Sequence, residues 1–106
     1  MPVRRVAAIN AEPGIVLIRW RVLQTDQGHR HLVGAREDDF DGRVSTAIVS
    51  FDVPKQVAVT QSGRIYRLSG PPGYSEDGQY VWERWSAANG VTSYEDVTST
   101  YYSSGS

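Results

Sequence analysis

The hydrophobic signal begins at Gly14. The run Ile15-Val16-Leu17-Ile18-Arg19-Trp20-Arg21-Val22-Leu23 is dense in β-branched and aromatic side chains, and its second half alternates apolar with charged residues. Such a run predicts a strand. A period of two places Val16, Ile18, Trp20 and Val22 on one face, and Ile15, Leu17, Arg19 and Arg21 on the other. Ahead of it, Val6-Ala7-Ala8-Ile9 reads as a short edge strand or as irregular chain, closed by the turn residues Asn10-Ala11-Glu12-Pro13-Gly14.

Thr25-Asp26-Gln27-Gly28 has tight-turn chemistry, so residues 29–35 are expected to return as an antiparallel partner. An acidic loop over residues 36–42 follows, then a third strand over residues 43–51 ended by Asp52-Val53-Pro54. Residues 56–60 and 64–69 flank Gln61-Ser62-Gly63 and form the most hairpin-like stretch. Gly70-Pro71-Pro72-Gly73 cannot continue a ladder, because proline has no N–H to donate.

After those prolines the period changes. Ser75 or Asp77 can cap a helix running to about Asn89, with Gly90 placed to stop it. Val81, Trp85 and Ala88 fall on one stripe of that helix, with Tyr80 and Arg84 beside it. Residues 92–98 allow one more short strand, and residues 101–106 read as a polar, frayed tail. The expected fold class is α+β: an antiparallel β-meander of about five strands packed on one C-terminal α-helix, a single domain over residues 1–100. The sheet face away from the helix would be partly wet.

Charge narrows the partners. With 11 basic and 12 acidic side chains the formal charge of the 106-residue chain is −1, so no overall field draws a polyanion, and a charged partner must be met by a local patch. The absence of cysteine excludes disulfides, thiolate zinc sites, iron–sulfur clusters and a cysteine nucleophile. Arg4 and Arg5 have no long apolar stretch behind them, which does not make a secretory leader. The longest apolar run, Ile15-Val16-Leu17-Ile18, is far short of the ~20 residues of a spanning helix. A cytoplasmic protein without membrane contact is expected.

Candidate chemistry is sparse. His29 and His31 are the only histidines, and their spacing on a strand puts both on one face, a geometry that can bind metal. They are weak candidates: no third histidine exists, and a solvated edge pair near a turn is the favoured reading. Glu37-Asp38-Asp39-Phe40-Asp41-Gly42 offers oxygen ligands but lacks the spacing of a calcium loop, and like charges so close favour a hydrated surface. No serine sits in a nucleophile elbow and no phosphate-binding glycine loop is present, so an enzyme is not the favoured reading, and no cofactor is implied.

Arginines and aromatics are more suggestive. Arg19, Arg21 and Arg67, with Arg30, would hold phosphates if they converged on the open sheet face, with an aromatic to stack a base; solvated arginines over a sheet are the plain alternative. Trp20 and Trp85 read as core, in reach of each other. Trp82 lies off the helix stripe; it either joins Tyr74, Tyr80 and Tyr94 in an exposed aromatic patch or lids the core edge.

Several segments in order are similar to those of a group of short, uncharacterised proteobacterial proteins associated with plasmids and prophages. They are Trp20-Arg21-Val22-Leu23, His31-Leu32-Val33-Gly34, Gly42-Arg43-Val44-Ser45-Thr46-Ala47-Ile48, Phe51-Asp52, Thr60-Gln61-Ser62-Gly63-Arg64-Ile65-Tyr66-Arg67-Leu68, Gly70-Pro71-Pro72-Gly73 and Tyr80-Val81-Trp82. The resemblance spans about residues 15–90. It implies a small accessory protein of a mobile element or phage, and no activity or site residue. The expected function is therefore a non-enzymatic module that binds a protein partner or a second copy of itself, with Arg19, Arg21, Arg67, Tyr74 and Trp82 as candidate contacts. The alternative is a nucleic-acid-binding protein that uses arginines on the open sheet face.

Overall fold

The computed structural model describes residues 14–102, so the expected edge strand at Val6-Ala7-Ala8-Ile9 lies outside the described residues. The chain is α+β: strands β1 (Gly14–Thr25), β2 (Arg30–Arg36), β3 (Gly42–Val44), β4 (Ile48–Asp52), β5 (Val57–Thr60) and β6 (Ile65–Leu68), helix α1 (Glu76–Ala88), strand β7 (Tyr94–Asp96) and a 3₁₀ turn at Thr98–Thr100. Among the described residues the sheet has seven strands and is mixed, in the order β3-β2-β1-β6-β5-β4, with β7 also pairing to β1. This corrects the expected five-stranded meander. The stretch read as one third strand is broken into β3 and β4 by a corner at Ser45, Thr46 and Ala47.

That corner explains the topology. β1, β2 and β3 form one meander and β4, β5 and β6 another. Because β4 continues the path of β3, β6 returns in the direction of β1 and pairs with it in parallel. In a flat sheet the two edge strands would lie roughly 24 Å apart, whereas the linker from Val44 to Ile48 reaches about 14 Å at most. The sheet must therefore curl. Its hairpins β1–β2 and β5–β6 use the same loop: Gly28 and Gly63 donate to the carbonyls of Thr25 and Thr60 at 2.9 and 2.8 Å. Both glycines take φ near +85°, at 88° and 85°, the left-handed position of a three-residue hairpin loop.

The curl encloses Ile15, Leu17, Trp20, Val22, Leu32, Tyr66 and Leu68. Strict alternation from Ile15 cannot produce this set, and β1 does not keep it. Its register against β2 passes from Ile18↔Ala35 to Arg21↔Val33, three residues against two. The extra residue is a β-bulge, with Arg19 at φ 50°. The bulge shifts parity, so Ile15 and Leu17 before it and Trp20 and Val22 after it point to the same interior. The expected grouping of Val16 and Ile18 with Trp20 is thereby corrected: those two are half-buried on the outer face.

Helix α1 covers a different surface. It lies over β2 and β3, where Leu23, Val33 and Trp82 form a second core with Val44 and Trp85 against it. Trp20 and Trp85 thus belong to separate clusters, against expectation. The helix ends are those read from the sequence: the Ser75 hydroxyl accepts from the Gly78 amide at 2.9 Å, and Gly90, at φ 71°, follows the Asn89 cap. Its buried stripe is Gly78, Trp82 and Ser86, not Val81, Trp85 and Ala88. Backbone proximity sets this. A Cβ on Gly78 would lie 2.7 Å from the Gly34 carbonyl oxygen, and one on Gly42 would lie 2.2 Å from that of Asp77. The helix rests directly on the strands at its first turn, which aims Trp82 inward. Full burial of a side chain of about 150–250 Å² is worth on the order of 4–6 kcal/mol. Trp82 therefore lids a core and is not part of an exposed patch.

The last described residues, Tyr101 and Tyr102, are packed. Tyr102 meets Trp20 edge-on at 6.0 Å and Tyr101 lies against Phe51 at 4.4 Å between ring centroids. Of the tail expected over residues 101–106, Tyr101 and Tyr102 make these contacts, and residues 103–106 lie outside the described residues. No helix among the described residues is long and apolar enough to cross a membrane.

Candidate functional site: a cleft between two strand edges

The corner that breaks the third strand also opens a gap. Along β2, Ser45 donates its amide to the Leu32 carbonyl at 2.9 Å, and the Ser45 hydroxyl accepts from the Leu32 amide at 2.9 Å. Leu32 thus faces β3. Antiparallel alternation turns the main chain of Arg30 the same way, into space that the chain has left at Thr46 and Ala47. On the other bank, Ser50 and Asp52 pair with Val59 and Val57 of β5. The main chain of Phe51 between them is turned outward, and no strand pairs with that edge among the described residues.

β2 and β4 approach within 8 Å. A cavity of about 370 Å³ lies between them, lined by His29 and Arg30 on one bank and Ile48, Val49 and Phe51 on the other. Tyr101 closes its floor: Arg30 donates to the Tyr101 hydroxyl and stacks on its ring at 5.6 Å. Arg30 Nε also donates to Gln24 Oε1 at 2.6 Å. The guanidinium is thus fixed, and its main chain remains open.

A second cavity of about 320 Å³ adjoins the first, sharing His29, Ala47 and Gln61 with it as lining. Trp85 and His31 form its aromatic side, and Thr25, Thr46 and Asn89 add polar groups. His31 is 4% exposed. Its Nδ1 lies 2.9 Å from the Ser45 carbonyl oxygen and therefore carries the proton of that bond. Its ring sits 4.6 Å from that of Trp85 and 6.0 Å from that of Trp82. Burial lowers the His31 pKa below the ordinary histidine value, against the raising effect of the Ser45 carbonyl, with His29 nearby adding a smaller lowering. At neutral pH the imidazole is uncharged.

The residues singled out in the sequence are dispersed. Arg21, half-buried beside α1, donates to Gln79 Oε1 at 2.6 Å and places its guanidinium 5.0 Å over the Tyr74 ring. Arg19, on the bulge, shares with Tyr74 and Phe40 a hollow at the start of α1. Arg67 is exposed on the outer face of β6, flanked by Val16 and Val57. The structure therefore joins Arg19, Arg21 and Tyr74 at one end of the helix, sets Arg67 on another surface, and encloses Trp82. His29 and His31 do not present a paired face, since His29 is exposed and His31 buried. No group of three or more His, Asp or Glu side chains among the described residues is placed to hold a metal ion. In the acidic loop, Asp38 accepts from Arg36 at 3.1 Å, which holds its carboxyl below the usual range.

Sequence reasoning missed Phe51, Gln61, Tyr101 and Trp85 as cleft residues. The available signal was Ser45-Thr46-Ala47, three small residues between the apolar Val44 and Ile48-Val49. Comparison with known proteins finds no family model that matches the chain, and no curated protein or solved structure that does.

Proposed function

We propose that this protein is a non-enzymatic binding module that takes an extended segment of a partner protein into the cleft between β2 and β4. The observation that carries this reading is the pair of unpaired strand edges, Arg30 on one bank and Phe51 on the other, facing one cavity. An extended peptide is the ligand whose chemistry matches free main-chain donors and acceptors on two facing strand edges, since it adds as a strand. Tyr101 and Phe51 supply the apolar floor. The bulge at Val49 and the acid Asp52 blunt the edge, the kind of feature that restrains unselective strand pairing. A plasmid or phage accessory factor that binds a host protein is consistent with the segments quoted above.

Selection from a displayed library of random peptides, followed by amide hydrogen exchange, tests this. Selected peptides are expected to slow exchange at Arg30 and Phe51, and Val49→Lys is expected to weaken them at least tenfold. Protection confined to other surfaces, or no peptide selected over a blank, overturns the reading. Protection at Phe51 that grows with protein concentration alone replaces the partner with a second copy of this chain. The arginine-based nucleic-acid reading draws less support: among the described residues Arg21 and Arg30 are engaged by side chains, and Arg67 stands apart from Arg19 and Arg21.

A further inference from the structure

The cavity beneath Trp85 has an unused polar atom at its wall. His31 Nδ1 is committed to the Ser45 carbonyl, so in the neutral ring Nε2 is an acceptor. No described group donates to it, and it is not among the enclosed polar atoms that lack a partner, which are Arg21 Nε, Gln56 Nε2 and Trp82 Nε1. Nε2 therefore keeps some exposure, in a residue that is only 4% exposed and lines this cavity. Burial keeps it in the acceptor form.

The rest of the lining defines what fits. It contains no Asp, Glu, Lys or Arg, so a charged group would lose hydration without gaining a counter-ion. Trp85 and Val91 provide apolar wall, and Gln61 and Asn89 provide amides. A volume of about 320 Å³ is at the small end of ligand sites, room for a single ring. The cavity adjoins the β2–β4 cleft, with His29, Ala47 and Gln61 lining both.

We infer that this cavity is the specificity pocket of the module and receives a tyrosine side chain of the bound strand, its ring against Trp85 and its hydroxyl donating to His31 Nε2. This assignment rests on the strand-addition reading. A phenol supplies both features at once, an apolar ring and a donor at its far end. Phenylalanine would leave Nε2 desolvated and unpaired, and a phosphorylated tyrosine would bring charge into a lining that has none.

The test uses p-cresol, toluene and p-tolyl phosphate as probes of the whole protein, followed by NMR through the Trp85 indole and His31 imidazole signals. p-Cresol is expected to shift both signals saturably, with at least tenfold tighter binding than either analogue at pH 7.5. His31→Phe should reduce p-cresol to the level of toluene, and His31→Gln, which keeps an acceptor, should restore part of the difference. The discrimination among the three probes needs no variant, so a poorly folded substitution does not remove the test. Equal binding of p-cresol and toluene, or no shift at Trp85, overturns the pocket assignment. If library peptides protect Arg30 and Phe51 but carry no enriched tyrosine, the pocket assignment fails and strand addition stands. If p-cresol binds as expected and no peptide protects the edge, strand addition fails and the phenol pocket stands alone.

Discussion

Arg19 adopts φ 50°, a conformation that costs an ordinary side chain about 1–2 kcal/mol. It is exposed on the bulge, so its side chain gives little back. Arg19→Gly is expected to leave stability unchanged or raise it by up to ~1 kcal/mol, while Arg19→Val, β-branched at a positive φ, should lower it by about 1–2 kcal/mol. Urea denaturation midpoints check both, and a loss on Arg19→Gly beyond that of a generic surface change would contradict the bulge. His31 gives a second test. Its pKa in the fold lies below the unfolded value of ~6.5, so the unfolded chain binds the extra proton. Stability from the neutral ring is complete above that value and is lost as pH falls through it toward the folded pKa. The slope is expected to approach, at most, about 1.4 kcal/mol per pH unit. Denaturation at pH 7.5 and 5.5 should show the decline, and His31→Gln should flatten it.

For whole elements, position is set by backbone approach more than by side-chain pattern. Gly34, Gly42 and Gly78 lie where α1 crosses β2 and β3, with no room for a methyl group on Gly42 or Gly78. Gly78→Ala is therefore expected to cost about 1–3 kcal/mol through forced separation, although alanine is by itself the better helix former by roughly 1 kcal/mol. Thermal denaturation checks the sign, and a stabilised Gly78→Ala would mean that the helix does not rest on Gly34. The caps were legible in Ser75 and Gly90 because capping is local chemistry. The buried stripe was not, because Gly78 and Ser86 carry no hydrophobic signal: they matter for the space they leave beside Trp82. The parity of β1 was hidden for a related reason. Arg19 has no composition that marks a bulge, and the enclosed set Ile15, Leu17, Trp20 and Val22 is recognisable only once the register is known.

For the molecule as a whole, the curl leaves a core that Tyr101 and Tyr102 help to close. Replacing both, Tyr101→Ala with Tyr102→Ala, removes the rings that meet Phe51 and Trp20. Both side chains are half-buried, so the double variant is expected to destabilise by about 3 kcal/mol, the low end of the range for losing a buried aromatic. A double variant as stable as the parent, by calorimetry, would show that the tyrosines do not seal the curl.

The amino-acid order by itself determined the class of the fold, the two matching hairpin loops and both ends of the helix. Those features depend on residues within a few positions of one another. It also contained the break at Ser45-Thr46-Ala47, though not its consequence. Which face of β1 is enclosed, the parallel return of β6 beside it and the cleft from Arg30 to Phe51 were decided only in three dimensions. Each depends on register between segments far apart in the chain, and period-two alternation carries no information about where an extra residue will be accommodated.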